Sequence, residues 1–255
     1  MKLENLVAIV TGGASGLGEA ACQCLSEAKC KVVVADLNKE LGEALVKTLK
    51  TEAIFVQVDV SNEESIKSLV EQTVSKFGGV NIVINCAGII NATPIVSSRG
   101  VATSAEFLKV FNINVLGTFN VSKYAAQQMM KQPVLNEEKE RGVIINVASV
   151  AGFEGQRGQV IYAGSKGAII GMTLPMARDL GKYGIRVVTI APGVFITPMG
   201  KGLNPKIQKS LEDQTTVGRL GVPREFGDAI VSLSRNSYVT GTTLRLDGGI
   251  RLSHV

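Results

Sequence analysis

The chain has no tryptophan and a single histidine, His254, next to the last of its 255 residues. Histidine is the side chain whose ordinary pKa best suits proton transfer near neutrality. Its scarcity excludes a mechanism built on an interior histidine base and a histidine-rich metal centre, so no metal is expected. Aromatic residues are only 5% of the chain, too few for a platform that stacks bases or anchors a partner through rings. The four cysteines, Cys22, Cys24, Cys30 and Cys86, never take the C-x-x-C spacing of zinc or dithiol sites. They are expected to be reduced and mostly buried. No apolar run is long enough to span a bilayer, and the short polar start carries no secretory signal. An intracellular, soluble protein with no membrane partner is expected. Basic residues exceed acidic ones by five, but they are scattered rather than gathered into a basic tail.

What is present is an alternation. Strand-length apolar runs at Leu6–Thr11, Lys31–Ala35, Ala53–Val58, Val80–Asn85, Val143–Val147, Ile185–Ile190 and Thr242–Leu246 are separated by segments of helical period. Among those are Glu19–Ala28, Lys39–Lys50 and Glu63–Phe77. Strands rich in Val and Ile on both faces and joined by helices indicate a parallel sheet covered on both sides. The pattern predicts an α/β fold: a single doubly wound Rossmann domain over 1–255, about seven parallel strands in the order 3-2-1-4-5-6-7, helices on both faces. Two stretches break the rhythm. Pro133–Arg141 (PVLNEEKER) is polar and should be a surface excursion. Gly193–Thr216 directly follows a strand, where either a substrate lid or an ordinary long loop would sit.

The first strand runs into Thr11-Gly-Gly-Ala-Ser-Gly-Leu-Gly18. Gly12 allows a tight turn, Gly16 lets backbone approach a phosphate, and Gly18 lets the next helix pack close to the sheet. The helix N-terminus then offers free N–H groups to a pyrophosphate. Asp36 ends the second strand 18 positions after Gly18, near the separation expected of the acid that accepts from an adenosine ribose hydroxyl. A carboxylate there repels a 2′-phosphate, and position 15 is Ser, so NAD is expected as the cofactor rather than NADP. Capping the following helix is the other role open to Asp36, although Asn38 is better placed for it.

Tyr162-Ala-Gly-Ser-Lys166 sets a phenol and an ammonium four residues apart, hence on one helix face. A free phenol is too weakly acidic for proton transfer at neutral pH, and a nearby lysine cation is expected to make it more acidic. Lys166 can also bond the nicotinamide ribose. Ser149, just after a strand, is placed to bond the substrate oxygen. Asn114 falls in a segment expected to be one long helix, where it can distort the backbone and hold a water leading from Lys166 to solvent. Cys86-Ala87-Gly88 can accept the adenine side of the cofactor, as can Asp59-Val60. Pro192-Gly193 and Thr197 fall near the nicotinamide amide.

The set T-G-x-x-x-G-x-G, N-x-A-G, Asn114, Ser149, Y-x-x-x-K and P-G, in this order, resembles the short-chain dehydrogenase/reductase family over the whole chain. The resemblance implies a catalytic tetrad of Asn114, Ser149, Tyr162 and Lys166. Cys86 departs from the family, which usually has a second Asn there. Further segments, among them Arg141–Asn146, Phe153–Gln156, Gly171–Pro175 and Thr189–Gly193, are similar to the branch of that family that oxidises 3-hydroxyacyl-CoA. That likeness implies NAD-linked interconversion of (S)-3-hydroxyacyl-CoA and 3-ketoacyl-CoA, with hydroxysteroids as further substrates. It implies cofactor contacts at Ser15, Leu17, Asp36, Asp59, Val60, Cys86, Phe195 and Thr197, and an acyl contact at Gln156. It also implies a mitochondrial homotetramer, with a cytoplasmic location as the alternative. Other short-chain dehydrogenase substrates stay open: a steroid, a sugar alcohol or a carrier-bound β-ketoacyl group. So does an additional scaffold role in a tRNA-processing complex, the one route by which nucleic acid would be a partner.

Overall fold

The computed structural model describes residues 1–98, 100–197 and 205–252. In chain order it forms β1 (Val7–Thr11), α1 (Gly16–Glu27), β2 (Lys31–Asp36), α2 (Lys39–Val46), β3 (Ala53–Gln57), α3 (Glu63–Phe77) and β4 (Ile82–Asn85). A small pair, β5 (Val96–Ser97) and β6 (Gly100–Val101), precedes α4 (Ser104–Phe111), a π-helical segment (Asn112–Gly117) and α5 (Thr118–Met130). Then come β7 (Gly142–Val147), a 3-10 turn (Val150–Gly152), α6 (Val160–Gly181), β8 (Ile185–Pro192), α7 (Pro205–Asp213), α8 (Pro223–Arg235) and β9 (Thr243–Leu246). Seven strands pair in the order β3-β2-β1-β4-β7-β8-β9, all parallel. Because β5 and β6 pair antiparallel with each other and stand apart from this sheet, the order is the one the sequence pattern predicts.

Successive strand residues face opposite sides, so the central strands each feed two cores. Ala8, Val10, Val32, Val34, Ile84 and Ile145 pack with Leu25 of α1 and Phe226 and Ile230 of α8. Ile9, Val33, Val83, Ile144 and Val187 pack on the other face with Ile66 and Leu69 of α3 and Val121 and Met129 of α5. This is why the central strands read as unbroken apolar runs. α1 and α8 approach closely because Gly227 has no side chain: a Cβ there would lie 2.3 Å from Cys24 Sγ.

Several boundaries differ from expectation. α1 starts at Gly16 because the glycine turn leads straight into it. α2 stops at Val46, and the Thr48 hydroxyl donates to the Leu45 carbonyl at 2.8 Å, closing its end. The excursion 133–141 is exposed at most positions, but Glu140 is buried and pairs with buried Arg186 at 3.2 Å. The stretch 193–216 is no plain loop, since it contains α7; its residues 198–204 lie outside the described ones. His254 does too. The cysteines are free thiols, three buried and Cys86 half-buried, and no group among the described residues has the make-up of a metal site.

Candidate active site

The carboxyl ends of β1, β4, β7 and β8 form one rim, where an open parallel sheet presents its loops to ligands. On the β1 side, Gly12 has φ +63°, and a Cβ on it would lie 2.8 Å from the backbone of Ala87. A Cβ on Gly18 would lie 2.0 Å from the Gly12 carbonyl oxygen. Gly16 (φ +58°) faces Thr197, whose Cβ is 3.6 Å from where a Gly16 Cβ would stand. The turn is therefore stripped of side chains on the side that opens to Thr197, with the start of α1 beneath it. Ser15 is exposed on this rim, and Leu17 is half-buried against the core. The cradle fits a dinucleotide pyrophosphate.

Asp36, at the end of β2, accepts from the Ala14 N–H at 3.0 Å and the Asn38 N–H at 2.9 Å. It is not the helix cap: Asn38 Oδ1 takes that part, accepting from Leu41 N–H at 3.0 Å. Asp36 is thus fixed beside the glycine turn, partly exposed. Asp59 shapes the turn after β3 by accepting from the Ser61 N–H and hydroxyl. Val60 is buried where Gly117 leaves room, since a Gly117 Cβ would sit 2.9 Å from it. Ala87 N–H donates to Thr11 Oγ1 at 3.3 Å, and burial pushes the neighbouring Cys86 thiol up to about 12.

Ser149 follows β7, and its Oγ accepts from Ala151 N–H at 3.1 Å. Tyr162 and Lys166 share one face of α6, with the Lys166 Nζ 5.8 Å from the phenol ring centre. That amine is buried and donates to the Val147 carbonyl at 2.8 Å. Asn114 sits not in a regular helix but in the π-helical segment between α4 and α5. Its Oδ1 accepts from Ile89 N–H at 2.8 Å, and its Nδ2 donates to the Ile89 carbonyl and to Ser165 Oγ, each at 3.0 Å. Ser165 Oγ in turn donates to the Tyr162 carbonyl at 2.7 Å. Both amide donors of Asn114 are therefore engaged, leaving only a lone pair on Oδ1 for a water. Where Gly88 lacks a Cβ, one point lies 3.1 Å from Asn114 Oδ1 and 3.5 Å from Lys166 Nζ.

Burial governs the electrostatics. It pushes the Tyr162 phenol above its ordinary value, with the Ser149 hydroxyl pulling the other way and Cys86 adding to the rise. It pushes the Lys166 amine down to about 8. A phenol made acidic by its neighbouring lysine is thus not what the chain alone provides: among the described residues no carboxylate offsets the buried amine, and desolvation favours the neutral form of both groups.

On the β8 side, Gly193 N–H donates to the Leu246 carbonyl at 2.9 Å, and Pro192 closes the strand. Phe195 is buried edge-on to Phe226, centroids 6.4 Å apart. Gln156 is half-buried, its N–H held by Gln159 Oε1 at 3.1 Å. The structure thus brings Asn114, Ser149, Tyr162 and Lys166 to one end of the sheet, beside the Ala87–Gly88 strand end on which the Gly12 turn packs. Sequence reasoning misses Ser165, the link between Asn114 and the Tyr162 backbone; its place beside Lys166 is the signal. It also misses the buried amide pair beneath, where Asn85 Nδ2 donates to Asn146 Oδ1 and to Ser122 Oγ, each at 2.9 Å. Polar residues ending otherwise apolar strands are its mark.

A family model described as short chain dehydrogenase matches residues 6–208. The chain belongs to the short-chain dehydrogenase family. Among this dehydrogenase's relatives, a 3-hydroxyacyl-CoA dehydrogenase type-2 of Drosophila melanogaster is 41% identical over 254 residues, covering 98% of this chain and 99% of the relative. That of Homo sapiens is 42% identical over 255 residues, covering 98% and 97%. The crystal structure of 3-hydroxyacyl-CoA dehydrogenase type-2 from Mycobacterium avium matches with a TM-score of 0.93 at 37% identity, over 98% of this chain and 97% of that one. The 3-oxoacyl-acyl-carrier-protein reductase FabG of Thermotoga maritima is more distant, 35% identical over 257 residues and covering 98% and 99%. As a short-chain dehydrogenase the protein is an oxidoreductase, of a family that uses a nicotinamide cofactor on small molecules. Among the described residues no helix is long and apolar enough to cross a membrane.

Proposed function

We propose that this dehydrogenase interconverts (S)-3-hydroxyacyl-CoA and 3-ketoacyl-CoA with NAD. The observation that carries the proposal is the meeting of Ser149, Tyr162 and Lys166 beside the Ala87–Gly88 strand end on which the Gly12 turn packs, in a chain so similar to enzymes named for that reaction. Gly12, Gly16 and Gly18 would take the pyrophosphate, helped by Ser15 and Leu17. Asp36 would accept from the adenosine ribose, whose base would lie by Asp59, Val60 and the strand end Cys86–Gly88. Lys166 would hold the second ribose, and Pro192, Gly193, Phe195 and Thr197 would line the nicotinamide end.

A bound nicotinamide supplies the hydride acceptor and, when oxidised, a positive charge beside the phenol. The remaining work falls to side chains of this chain. The Ser149 hydroxyl donates to the substrate oxygen and fixes it against Tyr162, and Tyr162 Oη takes the hydroxyl proton. Asn114 Oδ1 and Lys166 Nζ both lie beside Gly88, 3.1 and 3.5 Å from where its Cβ would stand, and a water held between them would carry that proton toward solvent. Gln156, on the loop after Ser149, would touch the acyl chain. Proton and hydride positions have to be set together, since reaction needs near-attack geometry.

The test is acetoacetyl-CoA reduction followed with NADH and with NADPH. NADH should be preferred by about ten-fold or more, roughly 1.4 kcal/mol, and Tyr162→Phe should lose turnover while still binding NADH. A clear NADPH preference overturns the assignment of Asp36. The FabG relatives favour one second reading, a carrier-bound ketoacyl substrate. Acetoacetyl-acyl-carrier protein in the same assay separates the two: faster turnover on the carrier than on CoA selects the second.

A further inference from the structure

Three segments that frame the site close on one turn that none of the motifs above includes. Beyond β9, Asp247–Gly249 bends back on itself, with Gly248 at φ +59° and Gly249 at φ +78°. Its first contact is with the Pro192–Gly193 turn: a Cβ on Gly193 would stand 2.9 Å from Asp247 Cα, so the two backbones touch. Its second is with the end of the 193–216 stretch, where Val217 N–H donates to the Gly248 carbonyl at 3.2 Å and Thr216 Oγ1 to the Gly249 carbonyl at 3.1 Å. The third runs through Arg245 to the loop after Ser149. Arg245 Nε donates to Asp247 Oδ2 at 2.7 Å, Nη1 to Glu154 Oε1 at 2.5 Å and Nη2 to the Ile250 carbonyl at 3.0 Å.

A guanidinium has its donors in a fixed plane, so three acceptors on three sides hold it in one orientation, which a lysine ammonium cannot do. The Arg245 and Glu154 side chains are only 24% and 26% exposed and that of Asp247 8%, so water screens them less than an ordinary surface pair. The Phe153 ring lies 5.5 Å from the guanidinium, and the second Glu154 oxygen accepts from Leu252 N–H at 3.2 Å. Arg251 adds little, being two-thirds exposed and 3.5–3.6 Å from its partners. Glu154 stands five residues after Ser149 and two before Gln156, on a loop whose other end enters α6 just ahead of Tyr162.

We propose that Glu154, Arg245 and Asp247 are positioning residues for the Ser149–Tyr162 centre: they clamp the Ser149 loop to the Pro192–Gly193 turn and to the end of the 193–216 stretch. This rests on the reading of Ser149 and Tyr162 given under Proposed function. The clamp touches neither substrate nor cofactor; it fixes the distance between the segment that presents the substrate oxygen and the segment beside the nicotinamide end. Losing it should therefore depress turnover more than cofactor binding, whose pyrophosphate and adenosine contacts lie away from the clamp on the β1 and β2 side.

Glu154→Gln, Arg245→Met and Arg245→Lys test this, with kcat and KM for acetoacetyl-CoA, the Kd for NADH by fluorescence, and the melting temperature. In Glu154→Gln and Arg245→Met, kcat should fall roughly ten-fold or more while the NADH Kd stays within about two-fold. Arg245→Lys should recover only part of the loss, and the double variant should be no worse than the poorer single one, because both changes break one contact. A purely structural role would lower the melting temperature and leave kcat and KM of the folded protein unchanged; that result in Glu154→Gln, which keeps the side chain's shape, sinks the proposal even where Arg245→Met fails to fold. Tyr162→Phe in the same assay tells the two readings apart. If it stays active, the catalytic reading has failed; if it is dead while Glu154→Gln is normal, only the clamp has.

Discussion

At Lys166 burial and charge oppose each other. Its amine titrates at about 8 in the folded chain instead of the ordinary 10.5, so the unfolded chain binds the extra proton between those values and stability rises with pH across that window. Below pH 8 the full cost of the buried charge is present. Lys166→Met removes a cost of up to ~3 kcal/mol and leaves the buried Val147 carbonyl without its donor, which costs about 1–3 kcal/mol. The cofactor-free variant should therefore be at least as stable as the parent at pH 7, by up to about 2 kcal/mol, with any gain shrinking toward pH 10, while activity is lost. Urea unfolding at several pH values checks this; a destabilised variant at pH 7 contradicts it. The phenol gives a companion test. Burial raises the Tyr162 pKa and the Ser149 hydroxyl lowers it, so the ultraviolet titration difference between the parent and Tyr162→Phe should show a midpoint above the ordinary phenol value of 10.0. Ser149→Ala should move it higher still.

At the scale of elements, legibility follows periodicity. The central sheet strands are readable because both faces of each are covered, which makes their apolar runs continuous, while the edge strands β3 and β9 are more open. The two-residue strands β5 and β6 are too short to show any period. The π-helical segment shows in the sequence only as the distortion expected at Asn114: Asn112-Ile-Asn-Val-Leu-Gly117 otherwise differs little from a helical sequence, and the Asn114 side chain holds the Ile89 backbone, 25 residues away. Whereas Asn114 comes from the segment between α4 and α5, Ser149, Tyr162 and Lys166 are legible because their spacing is fixed by the end of β7, by α6 and by their junction. The Glu154–Arg245 clamp is not, because its partners lie 91 residues apart and salt bridges leave no spacing signature. The glycine turn is both legible and testable. Gly18→Ala would put a methyl 2.0 Å from the Gly12 carbonyl oxygen, a backbone clash that no rotamer relieves. It should cost about 1–3 kcal/mol by overpacking and push the end of α1 off the sheet. Thermal melts and NADH titration would read both effects, and an unchanged NADH Kd contradicts the role given to this turn.

Over the whole molecule, the end of the sheet opposite the site is tied by a different device. Glu140, at the close of the 133–141 excursion, meets Arg186 at the start of β8, each side chain 7% exposed. Arg186 also donates to the Leu233 and Ser234 carbonyls at the end of α8 and to the Val239 carbonyl beyond it, at 2.8 to 3.1 Å. One guanidinium thus joins β8, the excursion and the α8–β9 connection. Burial works to raise the Glu140 pKa, but Asn136, Ser237, the Met1 ammonium and Arg186 outweigh it and hold the carboxyl below its ordinary range. Its stabilising contribution is therefore present above the ordinary carboxylate range and is lost as pH falls through its depressed folded value. Removing that charge leaves Arg186 buried and uncompensated, which ordinarily costs about 3–5 kcal/mol. Glu140→Gln should unfold at correspondingly lower urea concentration at pH 7, and the difference from the parent should narrow in acid, where the parent's carboxyl is protonated too. Because β8 carries its site residues at the other end, kcat of the folded variant should match the parent. A loss of turnover without a loss of stability would mean that this distant pair reaches the Pro192–Gly193 turn through the strand itself.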